Sequence, residues 1–229
     1  MNIEKKDPDL VNITIQNKKL QKDLSSILSD NSIIIDIGAN RGQFLSEIID
    51  IKKNLEIHCF EPVSAAYNEL KTLYPNRENI YFHKKAVTLK SGTVNFTVTE
   101  CDVGSSVLVP YKNQSSKWLT VDHVEQVEAT RLDDFLSTGT MINKTIDLLK
   151  IDAQGHDLNV IESAGSFLDP NHVKALLIEV SFRNFYENQC SFHDILRYAD
   201  TNNYRLAWLY QHLAYDGFLW WADALFLPK

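Results

Sequence analysis

Apolar and polar positions change period at regular intervals along this chain. Leu20, Leu24, Ile27 and Leu28 recur at helical spacing and predict a helix over roughly 17–29. From Ser32 onward, short β-branched runs alternate with helical patterns. Ile33–Asp36 predicts a buried strand, followed by a helix that contains Phe44–Ile51. Leu55–Glu61 predicts a second strand. Pro62 then starts a helix to about Leu73, at the first-turn position that proline tolerates. Ile80–Val87 reads as a third strand. Thr93–Thr99 alternates like a solvated strand after the Lys90-Ser91-Gly92 turn, and Glu125–Thr130 is another short strand. Residues 101–122 between them are irregular, and a loop of that length is usually functional or mobile. Helices follow at Leu132–Leu136, Leu158–Phe167 and Phe192–Thr201, and strands at Ile146–Asp152, Ala175–Val180, Tyr204–Tyr210 and Ala222–Leu227. This alternation predicts an α/β fold, a mostly parallel sheet with helices on both faces. Residues 1–30 form an N-terminal helical extension and 31–229 a single domain.

Composition narrows the partners. With 229 residues, 44% of them apolar, one domain can fill a sizeable core. The net charge is -7 and no basic block interrupts it, which argues against nucleic acid as a partner. No apolar run reaches signal-peptide or membrane-spanning length. Cys59, Cys101 and Cys190 are odd in number, far apart and without C-x-x-C spacing, so neither a disulfide frame nor structural zinc is expected. A cytoplasmic protein is expected, with room for a homo-oligomer.

Chemistry concentrates at Ser32–Gln43, SIIIDIGANRGQ. A strand, a glycine turn and a helix bring a nucleotide-like ligand to the carboxyl end of a strand. Gly38 lets the backbone approach the ligand, and Gly42 lets the helix start close to it. Asp36 would repel a phosphate and attract the cationic amino-acid end of a ligand. A dinucleotide fingerprint from Gly38 needs glycine at positions 40 and 43, which are Asn40 and Gln43. The form D-x-G-x-N-x-G resembles instead the first motif of class I methyltransferases, which bind S-adenosylmethionine. Asp36, Glu61 and Asp152 each end a strand and should converge on one crevice. Glu61 can accept both hydroxyls of a ribose.

The chain resembles the FkbM-type methyltransferases from about Ile33 to Leu227. The resemblance is carried by DIGANRGQF (Asp36–Phe44), FEP (Phe60–Pro62), KAV (Lys85–Val87), SG (Ser91–Gly92), GSS (Gly104–Ser106), TRLDDF (Thr130–Phe135), LLKIDAQGHDLNVIESA (Leu148–Ala164), IEV (Ile178–Val180) and WADALF (Trp221–Phe226). It implies a class I, Rossmann-like fold with an antiparallel last strand, S-adenosylmethionine as donor, and O-methylation of a sugar or other hydroxyl. The donor would meet Asp36, Gly38, Asn40, Gly42, Glu61, Pro62, Ala86, Val87, Ser105 and Asp152, with Ala86 and Val87 as a floor for the adenine. The family pattern K-I-D-x-E-G-x-E is altered here, with Gln154 and Asp157 at its glutamates and His156 where small or aromatic residues are common.

A sugar hydroxyl is a poor nucleophile, so a general base would help. Asp152 ends its strand at the right place, and His156, one helical turn on, titrates near neutral pH. Either serves as base, with the other orienting it. Asp152, His156, Asp157 and Glu179 could instead chelate a divalent ion, but their spacing matches no ligand motif and no metal is expected. Ser106, Glu179, Tyr186, Tyr215 and Trp220 are the candidate acceptor contacts, the three aromatics because polar residues flank them. Two rival readings are a non-catalytic module that keeps the cofactor fold and an NAD-dependent oxidoreductase.

Overall fold

Hydrophobic strands of four to six residues form the centre of the molecule because each is buried on both faces. The computed structural model describes residues 8–75, 77–112, 117–215 and 217–229. In chain order the strands are β1 (Ile33–Ile37), β2 (Glu56–Phe60), β3 (Ile80–His83), β4 (Ala86–Val87), β5 (Gly92–Thr99), β6 (Val121–Thr130), β7 (Leu148–Ile151), β8 (Leu176–Ser181), β9 (Tyr204–Tyr215) and β10 (Phe218–Pro228). The α-helices are α1 (Pro8–Ile27), α2 (Gln43–Ile48), α3 (Ser64–Leu73), α4 (Leu132–Leu136), α5 (Asp157–Glu162) and α6 (Phe192–Thr201).

The main sheet has seven strands in the order β3-β2-β1-β7-β8-β10-β9. The first five run parallel, and β10 lies antiparallel between β8 and β9. This matches the expected mostly parallel sheet with an antiparallel last strand. Strand order reverses between β1 and β7. Connections leave in opposite directions there and open a crevice at the carboxyl ends.

Period-two alternation divides the core into two layers. Ile35, Ile37, Leu149, Ile151 and Ile178 pack with Val160 of α5 and Ile195 of α6 on one face. Ile34, Ile57, Leu148 and Leu177 pack on the other with Leu20 and Leu24 of α1 and Leu45 and Ile48 of α2. The N-terminal helix α1 lies against the edge of the main sheet. It packs on edge strand β9: the Tyr210 hydroxyl donates to Asp23 at 2.6 Å, and Lys19 Nζ lies 4.3 Å from the Trp208 ring centre.

A second sheet, β4-β6-β5, stands beside the first. It corrects the reading of Ile80–Val87 as one strand. The chain leaves β3 at His83 and re-enters a different sheet at Ala86, which pairs with Ala129 of β6. The β9–β10 hairpin is also longer than its apolar cores suggest. The irregular segment contains short 3-10 turns at Asp102–Gly104 and Lys117–Leu119 and is tied down by bridges from Thr97 to Ser106 and from Pro110 to Tyr186.

Candidate active site

The turn after β1 is pressed against the end of β7. Gly38 has φ 77°, and a Cβ there would lie 1.9 Å from the Asp152 carbonyl oxygen. Any side chain at position 38 would push the two strand ends apart. The amides of Gly38 and Ala39 both donate to the Phe60 carbonyl at 3.0 Å, which docks the turn on β2. Gly42 behaves differently from expectation. A Cβ there would meet Leu70 and Tyr74, so this glycine admits α3 rather than a ligand.

The crevice holds a cavity of about 390 Å³. Gly38, Asn40, Glu61, Pro62, Ala86, Val87, Ser105 and Asp152 all line it, as do His156 and Glu179. Glu61 is only 5% exposed. Its two carboxylate oxygens accept the backbone N–H groups of Asn40 at 2.9 Å and Val63 at 2.8 Å. Burial pushes Glu61 up to about 7 despite those donors.

Asp36 does not reach the cavity. It is 0% exposed, and the register of β1 against β7 places it beside Lys150, whose Nζ lies 3.2 Å from Asp36 Oδ1. That cation intercepts the charge expected to attract a ligand. Lys150 also donates to the Gly38 carbonyl at 3.3 Å and lies 3.5 Å from Asp152 Oδ2. Burial opposes its charge, but Asp36, Asp152 and Asp223 outweigh that effect and hold the ammonium well above its ordinary range.

Asp152, Glu179 and Asp223 line the same cavity. Burial, then the charge of Asp152, pushes Asp223 up to about 7, and the same causes raise Glu179 well above the usual carboxylate range. Gln154 Nε2 bridges Asp152 and Glu179 at 2.7 Å each. Asp157 faces away: its oxygens accept the Ala153 and Gly155 amides at 2.7 and 3.0 Å and hold the turn before α5. His156 caps that helix without a side-chain bond, and its Nε2 is buried with no partner among the described residues. Burial pushes its imidazole down to about 4, so it is neutral at physiological pH. That differs from the near-neutral titration expected of it. Among the described residues no group of three or more His, Cys, Asp or Glu side chains is placed to hold a metal ion.

Three expected acceptor contacts are used otherwise. Ser106 is 1% exposed and its hydroxyl donates to the Gln154 carbonyl at 2.9 Å, strapping the long loop to the β7 turn. Tyr186 is also 1% exposed, with its hydroxyl within 2.9 Å of the Gly104 carbonyl and 3.1 Å of Gln154 Oε1. Trp220 packs on Phe185 with the Arg183 guanidinium 4.7 Å from its ring centre, outside the cavity lining. The Tyr215 side chain lies outside the described residues. The aromatic wall of the cavity comes instead from Trp118, Phe185 and Trp221, with ring centres 5.2–6.5 Å apart.

A family model of the methyltransferase FkbM domain matches residues 36–206, most of the chain. The chain belongs to the FkbM methyltransferase family. This enzyme is therefore an S-adenosylmethionine-dependent methyltransferase, and the module and oxidoreductase readings fall away. The FkbM chain is 26% identical over 187 residues to the 2-O-methyltransferase NoeI of Sinorhizobium fredii (strain NBRC 101917 / NGR234), covering 78% of this chain and 75% of that one. It is also 26% identical over 157 residues to Methyltransferase 1 of Beauveria bassiana (strain ARSEF 2860), covering 62% of this chain and 61% of the relative. In fold, the FkbM chain is similar to the fibrillarin of Aeropyrum pernix, solved with natively bound S-adenosyl-L-methionine. The TM-score is 0.52 at 14% identity, with 92% of this chain and 74% of that one covered. It is similar to an rRNA methylase of Streptococcus thermophilus at TM-score 0.51 and 13% identity, covering 92% and 94%.

Sequence reasoning missed Lys150, Asp223 and the three wall aromatics of this FkbM enzyme. Lys150 carried a signal, as a cation inside an otherwise apolar strand pattern at Leu148–Ile151. Phe185, beside the chosen Tyr186, carried none, since neighbours in a turn do not reveal which one faces inward.

Proposed function

We propose that this methyltransferase modifies a hydroxyl of an uncharged sugar or glycosylated metabolite, with Asp152 as general base. The observation that carries the reading is the meeting, in one cavity, of a strand-end carboxylate at Asp152 with the aromatic wall of Trp118, Phe185 and Trp221. Aromatic faces suit the C–H surface of a sugar, and the carboxylate suits its hydroxyl. The relative named as a 2-O-methyltransferase supports oxygen as the acceptor atom.

The residues present fit the donor. Gly38 lines the cavity with bare backbone, and Glu61 lines it with a buried carboxyl able to accept hydrogen bonds. Glu61 would hold the ribose hydroxyls, Ala86 and Val87 the adenine face, and Gly38, Asn40 and Ser105 the turn of the donor between them. When bound, S-adenosylmethionine supplies an electrophilic methyl group on a sulfonium sulfur. Asp152 takes the hydroxyl proton as the acceptor oxygen attacks, so that oxygen carries no positive charge after transfer. His156, neutral and lining the same cavity, orients the acceptor. The carboxylates lining the cavity disfavour anionic acceptors, and the net charge of -7 disfavours a polyanion. The free cysteines fit a cytoplasmic site of action.

The test is transfer of labelled methyl from S-adenosylmethionine to a panel of neutral methyl glycosides, set against the same sugars as phosphates and uronates. Neutral glycosides should be methylated and the anionic forms should not. Preference for the anionic forms, or S-adenosylhomocysteine binding with no transfer to any sugar, would contradict the reading.

A further inference from the structure

One side chain at the end of β7 has every polar atom engaged, and the transfer chemistry above does not use it. Gln154 sits in left-handed backbone at φ 50°, a conformation that side chains rarely adopt and that persists when the surroundings hold it. Its Nε2 donates to Asp152 Oδ1 and to Glu179 Oε2, each at 2.7 Å. Its Oε1 accepts from the Tyr186 hydroxyl at 3.1 Å. Its backbone carbonyl accepts the Ser106 hydroxyl at 2.9 Å. Gln154 thus ties together the ends of β7 and β8 and the long loop, and it lines the same cavity as both carboxylates.

A primary amide has two N–H hydrogens, and here each meets a carboxylate from a different strand. Charge on one of two carboxyl groups this close disfavours charge on the other, and a divalent cation is one common bridge between such a pair. In this chain an uncharged amide stands in the bridging place. It also makes the two oxygens of Asp152 unequal: Oδ1 is held by Gln154, while Oδ2 lies 3.5 Å from Lys150. A carboxylate held at both oxygens cannot rotate freely about its last torsion, so its remaining lone pairs point in fixed directions.

We propose that Gln154 is the positioning residue of this site. Its amide cross-links Asp152 and Glu179, fixes the carboxylate that takes the acceptor proton, and fills the place that a divalent cation would take. The kinetic part rests on the methyl-transfer reading above; the cation part does not.

Two variants test it. Gln154→Met keeps the stem and removes the amide. With the glycoside acceptor from the panel, kcat at saturating substrates should fall at least about tenfold, while S-adenosylhomocysteine affinity stays within about threefold. A packing role alone would lower thermal stability and leave kcat unchanged, and an unchanged kcat would overturn the proposal. Gln154→Glu places a third carboxylate between the other two. Mn²⁺ titration followed by water-proton relaxation needs no acceptor. Wild type should bind no Mn²⁺ up to about 1 mM, and Gln154→Glu should bind one ion per chain below that concentration. If Gln154→Glu binds no Mn²⁺, Asp152 and Glu179 do not converge on residue 154 and the proposal fails, whatever the acceptor. If no glycoside is turned over, the sugar reading fails and the Mn²⁺ result alone decides.

Discussion

Glu61 and His156 are perturbed in opposite senses by the same cause, and each has a measurable consequence. Burial raises the Glu61 carboxyl to about 7, so below that pH it holds a proton and accepts fewer hydrogen bonds. Affinity for S-adenosylhomocysteine should therefore strengthen as pH rises from 6 to 8, and Glu61→Ala should weaken it at least about tenfold at pH 8. Calorimetry at both pH values reads this, and an affinity independent of pH and of Glu61 would remove the ribose contact. His156 is pushed down to about 4 and does not titrate between pH 6 and 8. His156→Gln should then lower turnover without changing the shape of the pH–rate profile over that range. A step near 6.5 that disappears in the variant would make His156 the base. The sequence made strand-end acids and glycines legible because their residue types are rare inside apolar strands. It could not show that Asp36 is neutralised, because that depends on which residue of β7 lies beside it in register, here Lys150.

Elements were legible where one pattern ran unbroken. β1, α4 and α6 come out within a residue of the expected bounds. Ile80–Val87 failed because continuity of apolar residues says nothing about which sheet they join; the change of sheet happens at Lys84 and Lys85. The aromatics failed for a related reason. Tyr186 has polar neighbours in sequence, yet its ring lies under the long loop and its hydroxyl bonds the Gly104 carbonyl. Tyr186→Phe should cost about 1–3 kcal/mol, because it removes the single hydroxyl hydrogen that lies between the Gly104 carbonyl and Gln154 Oε1. Denaturant unfolding measures that cost, and a change of a few tenths would show the loop to be held elsewhere. Leu24 of α1 is buried against the sheet layer that contains Ile34 and Leu177. Leu24→Ala should cost about 2–5 kcal/mol in the same experiment. A negligible loss would mean that α1 is not part of the cooperative unit.

Across the whole molecule, buried acids outnumber buried cations at the crevice, and stability should record it. Glu61, Asp157 and Asp223 each titrate at about 7 when folded, well above their unfolded values. The folded state binds protons that the unfolded chain has lost, so their contribution is full below about pH 4 and is lost as pH rises through 7. His83 and His156, both at about 4, act in the opposite sense between 6.5 and 4. Between those limits the two sets offset one another; above 6.5 only the acids remain. The melting temperature of the ligand-free protein should fall from pH 6.5 to 8, and a rise over that interval would show that these acids are not buried in solution. The same concentration of acid around Asp152 underlies the proposed chemistry, and one measurement addresses it most directly. It is the single-turnover rate of methyl transfer to the preferred neutral glycoside, for wild type and Asp152→Asn, each saturated with S-adenosylmethionine beforehand. Loss of the proton acceptor predicts a rate lower by about 10²–10⁴-fold in Asp152→Asn. A variant that transfers methyl at the full wild-type rate would contradict Asp152 as the base and leave positioning alone to drive the reaction.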